Sequence, residues 1–118
     1  GCINETVATL VAHAAAERAT DPETARTLKE IAADETRHAA LAWRFVAWAC
    51  RRDARIRTRI AKRALVVPNV ADMSGYGILD RATLHDVVTR GFAEVVAPAV
   101  AALAKDEGRA TTRSDAHA

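Results

Sequence analysis

The sequence predicts a single all-α domain, on three observations. Half of the 118 residues are hydrophobic but only 4% are aromatic, and alanine, the strongest helix former, dominates. Apolar residues recur at steps of three and four over long stretches instead of alternating, which is the helical period. Helix-start signals at Asp21-Pro22, Asp53 and Leu79-Asp80 then cut the chain into separate helical segments. A chain of this length is one domain at most.

Composition also narrows function. Formal net charge is +2, so no global field draws the protein to nucleic acid. Two cysteines, Cys2 and Cys50, are too few for a disulfide scaffold. No secretory signal is visible. The longest apolar stretch, Ala39–Cys50, is interrupted by Arg44 and is too short to span a bilayer. A soluble cytoplasmic protein without membrane association is expected.

The first helix is predicted over Cys2–Ala19. Its large apolar residues Ile3, Val7, Leu10 and Val11 share one face. The opposite face holds Glu5 alone among small residues, including Cys2, Ala8, Ala12 and Ala16. A helix apolar on two faces is covered on both. Two readings of Glu5 stand side by side: a first-turn carboxylate favoured by the helix dipole, or a functional group set among small neighbours. Thr20-Asp21-Pro22-Glu23 ends this helix and starts the next, with Asp21 as N-cap and Pro22 at the first helical position. So short a turn makes the two helices antiparallel neighbours.

The second helix is predicted from Pro22 to about Cys50. Its stripe reads Leu28, Ile31, Glu35, His38, Ala42, Phe45, Ala49, at steps of 3, 4, 3, 4, 3 and 4. That is the spacing of a seam packed on another helix. Glu35 and His38 occupy positions where Leu or Ile would be expected, and an ionisable group there is costly unless paired or metal-bound. With the hairpin centre near residue 20, Glu5 lies 15 residues before it and Glu35 lies 15 after, so the two are level. His38 is one turn further along. Cys2 and Cys50 are mismatched by 12 residues, about 18 Å along the axis, which rules against a disulfide. Trp43 and Trp48 are expected at the helix edges, in core or interface.

Beyond the hairpin, Arg51 to Val67 is a basic amphipathic segment with Asp53 as the cap of a new helix. Arg52, Arg55, Arg59 and Lys62 follow helical spacing. A solvated face is the common explanation, and phosphate binding the functional one. No aromatic residues interleave for base stacking, so nucleic acid is not the expected partner. Pro68 to Gly77 reads as a loop. Asp80 caps a last helix reaching about Ala104, Leu79 can staple onto Leu84, and Pro98 is expected to kink it. His13 and His85 have no ligand-spaced partner and read as surface residues. Residues 105–118 read as a disordered tail.

Glu-x-x-His alone is a weak signal. The seam register, the level Glu5 and its small neighbours strengthen it here. Carboxylate oxygens with an imidazole nitrogen suit iron or manganese. At Gly1-Cys2-Ile3-Asn4-Glu5-Thr6 and at Ala33-Asp-Glu-Thr-Arg-His-Ala39 through Trp43, the chain resembles the ferritin-like superfamily, in particular bacterial ferritin-like domain proteins. The resemblance covers residues 1 to about 50 well and the remainder loosely. It implies that Glu5 is a terminal metal ligand, that Glu35 bridges two metals, and that His38 is a terminal ligand. It further implies a non-haem di-iron or manganese centre acting on O₂, peroxide or ferrous iron. On this reading residues 1–104 are a partial ferritin-like domain, with 1–50 the metal-ligand hairpin and 51–104 accessory helices. A bundle of this kind takes one Glu from each of two helices and Glu-x-x-His from each of the other two. This chain carries half that set: Glu94 and Glu107 have no His three residues on. An upstream helix pair, as the non-Met start suggests, or a second copy in a homodimer would supply the rest. Failing both, the site is incomplete and inactive. The alternative function is a non-enzymatic helical interaction module whose contact face is Arg51–Arg63.

Overall fold

The computed structural model describes residues 1–105, except for the Asp72 side chain. The predicted tail beyond Lys105 lies outside them. The described residues are all-helical, with no strand among them. Helix α1 is Cys2–Arg18, α2 is Pro22–Arg52 and α3 is Ala54–Arg63. A short 3₁₀ turn follows at Val70–Asp72. The last helix, α4, starts at Arg81 and runs to Lys105.

Helices α2, α3 and α4 each begin where a carboxylate can take up orphan amides, whereas α1 starts after Gly1 without a side-chain cap. The Thr24 amide donates to Asp21 at 2.9 Å, that of Arg55 to Asp53 at 3.0 Å, and that of Thr83 to Asp80 at 2.7 Å. These bonds hold all three aspartates below the usual carboxylate range. For Asp53 the first cause is the Arg55 guanidinium; for the other two it is the backbone amide.

Helices α1 and α2 form the antiparallel hairpin, and α4 closes the side of α1 away from the turn. The main core lies there. Cys2, Ile3, Val7 and Val11 of α1 meet Leu84, Val88, Phe92 and Val96 of α4. Gly91 lets Leu10 pack closely on α4, because a Cβ there would come within 2.5 Å of Leu10 Cδ1 and force that side chain to shift. A smaller cluster of Ala15, Ala16 and Leu28 seals the turn end, with Leu79 packed against both clusters. A third, Cys50, Ile60 and Leu103, ties α3 to the ends of α2 and α4.

At Pro98, where a kink is expected, the helix is locally wound differently. Residues Phe92–Val96 form a π-helical turn in which the Ala97 amide reaches back to the Phe92 carbonyl. The wide turn makes room for a ring that would crowd the preceding carbonyls, and the helix continues. Arg81–Lys105 is also long and apolar enough to cross a membrane, by length and composition alone, so Ala39–Cys50 is not the longest apolar helical stretch.

 The window concerned is 28% buried, on the side of Leu84, Val88 and Val96 that faces α1.

Cys2 and Cys50 are both buried and unbridged. Burial pushes the Cys2 thiol up, and Cys50 adds a small push in the same direction. No disulfide joins them, as the level count along the hairpin predicts.

Candidate metal centre

Glu5 sits in the first turn of α1, and Glu35 and His38 sit near the middle of α2. The structure brings the three together: each offers one donor atom, and these atoms lie within 4.8 Å of one another. Glu5 and Glu35 are half-buried, while His38 is exposed. The cluster is thus walled by the hairpin on one side and open on the other.

The electrostatics are those of carboxylates held too close for both to be charged comfortably. A hydrogen bond with Glu5 pushes the Glu35 carboxyl above its usual range, with burial and the Glu5 charge adding to it and His38 opposing it. A shared proton relieves like-charge repulsion between neighbouring carboxylates, and so does a bound cation. The donor set, two carboxylates and an imidazole, fits iron or manganese better than a soft metal, which would call for thiolate.

Two cross-hairpin hydrogen bonds that sequence reading missed flank this geometry. Thr6, next to Glu5, is buried; its hydroxyl donates to the Cys2 carbonyl at 2.7 Å and accepts from Trp43 Nε1 at 2.7 Å. Thr36, next to Glu35, donates to the Ala32 carbonyl at 2.7 Å and lies 3.1 Å from His13 Nε2. With its own proton committed to Ala32, Thr36 accepts from a His13 N–H. His13 is exposed, as expected, but it links α1 to α2. The available signal was that a threonine directly follows each candidate carboxylate. His85 is exposed, and no second group of three or more metal-capable side chains gathers among the described residues.

Trp43 is half-buried against the main core, whereas Trp48 is 46% exposed, with the Arg52 guanidinium 4.6 Å above its ring. The expected seam is similarly uneven. Leu28 and Ala49 are buried at its ends, Ile31 and Ala42 are half-buried, and Phe45 is 63% exposed.

No family model, curated protein or solved structure matches the chain, so the functional reading rests on the residues themselves.

Proposed function

We propose that residues 1–50 of this chain are the metal-ligand hairpin of a ferritin-like helical protein that binds non-haem iron or manganese. The observation that carries the reading is the convergence of Glu5, Glu35 and His38 from two helices, with donor atoms within 4.8 Å. The metal would supply redox chemistry toward O₂, peroxide or ferrous iron. In this reading Glu5, Glu35 and His38 would hold the metal, Glu35 as the bridging ligand and Glu5 and His38 as terminal ones, as the resemblance implies; Glu5 and Glu35 are half-buried and His38 is exposed. The raised proton affinity of Glu35 supports the same reading, because a cation would relieve the repulsion that causes it. Three ligands leave part of an octahedral shell unfilled, so a second set of side chains is expected to complete it.

The test is metal content after anaerobic loading with Fe²⁺ or Mn²⁺. Wild type is expected to retain metal through gel filtration, and Glu35→Ala to lose it, while Glu94→Ala on α4 retains it. Equal retention by all three would overturn the reading.

A second reading is an interaction module. Arg52, Arg55, Arg59 and Lys62 are exposed along the end of α2 and one flank of α3, beside exposed Leu65 and Val66. Asp53 neutralises part of this face through a 3.0 Å ion pair with Arg55. Binding of a polyanion that weakens steeply with salt, in a protein that retains no metal, would favour this reading.

A further inference from the structure

Beside His38, α2 exposes a row of large apolar side chains. Leu41 is 62% exposed, Phe45 63% and Trp48 46%, at helical steps that continue from His38 along one flank. The metal-ligand cluster opens on this same flank, since His38 is its exposed member. An uncovered apolar row and an unfilled ligand shell therefore adjoin. We propose that a second copy of this chain covers both, so that Glu5, Glu35 and His38 from two copies share one metal centre across a two-fold axis. This rests on the metal reading above and adds the partner.

The register follows from the residues. Place the axis level with Glu35 and His38, with the two α2 helices antiparallel. The two ligand sets then face each other. Phe45 of each copy lies over the turn that holds Thr27 and Ile31 of the other. The half of α2 with large exposed side chains thus covers the half where Thr24 and Thr27 are exposed and Ile31 is half-buried. Large groups meet small ones, as a close helix pair needs. An axis through Leu41 and Phe45 would stack large on large. It would also separate the two His38 levels by about ten residues, roughly 15 Å, and leave each cluster open. A two-fold contact is self-complementary, so a chain with half a ligand set supplies the other half itself.

Sedimentation equilibrium and Mn²⁺ electron paramagnetic resonance on the full 118-residue chain test this. Mn²⁺ is expected to tighten the dimer by at least about tenfold, because a ligand that binds only the dimer stabilises it by mass action. His38→Ala is expected to lose that response. Phe45→Glu, outside the ligand set and largely exposed, is expected to weaken both the dimer and Mn²⁺ affinity, with its helical circular dichroism unchanged. Mn²⁺ bound to a monomer, equally well in wild type and Phe45→Glu, would overturn the shared site and leave the metal reading standing. A dimer indifferent to Mn²⁺ in a protein that still binds the ion would do the same. No Mn²⁺ binding at any protein concentration would overturn both.

Discussion

On one side of the hairpin, Ile3, Val7 and Val11 of α1 meet Leu84, Val88, Phe92 and Val96 of α4, and all seven are buried. On the other, α2 exposes His38, Leu41, Phe45 and Trp48 beside the half-buried Glu35. The first side is apolar throughout, and a covering helix leaves no polar atom stranded. The second mixes ionisable groups with large apolar ones, so a cover must both exclude water from Phe45 and offer partners to Glu35 and His38. Apolar content alone does not decide which face the chain closes over itself. The difference lies in what each face demands of the group that covers it.

Stability effects should divide the same way. Phe92→Ala removes a ring from the closed side and is expected to cost about 3–5 kcal/mol in urea unfolding. Phe45→Ala on the open side is expected to change the monomer by no more than about 0.5 kcal/mol. Equal losses would erase the distinction between the two sides.

Between the two sides, Thr6 is buried and receives the Trp43 indole N–H. Thr6→Val keeps the shape and strands that donor, at an expected cost of about 1–3 kcal/mol. The same substitution should weaken metal retention, because the bond it removes adjoins Glu5. Loss of stability with full metal retention would show that this peg supports the closed side only.

Charge removal sharpens the comparison further. The metal-free cluster holds Glu5 and Glu35 against each other. Glu35→Gln is therefore expected to raise the thermal midpoint of the metal-free protein while abolishing metal retention. A lowered midpoint would mean that the ionised cluster stabilises the fold.

The smallest effect concerns pH. The Thr83 amide holds the Asp80 carboxyl below its usual range. Its folded pKa is then below its unfolded one. The stability it contributes is present above the ordinary aspartate pKa and is lost as pH falls through the folded value. Asp80→Asn still caps the helix but cannot titrate. Its urea midpoint should fall less than that of wild type on acidification, and parallel curves would remove the cap as a source of acid sensitivity.

Much of this molecule is local chemistry. Asp21, Asp53 and Asp80 each sit one residue before a helix and cap it, and the short turn at Thr20-Asp21 brings α1 and α2 back to back. Those features depend on neighbours in the chain, so the sequence by itself determined the helices, the hairpin and the identity of the candidate ligands. Equal spacing about the turn was enough to set Glu5 beside Glu35. The tertiary structure alone decided what covers α1. Leu10 packs directly on Gly91, where any side chain would push its Cδ1 aside, and the turn before Pro98 widens as the helix continues. It also decided that Trp43 and His13 bridge the hairpin through Thr6 and Thr36. These are contacts between residues far apart in the chain. They depend on side-chain reach and helix separation, and neither is encoded in periodicity. The exposure of Phe45 belongs with them: its spacing marks it for a seam, but whether a seam is closed depends on a second surface.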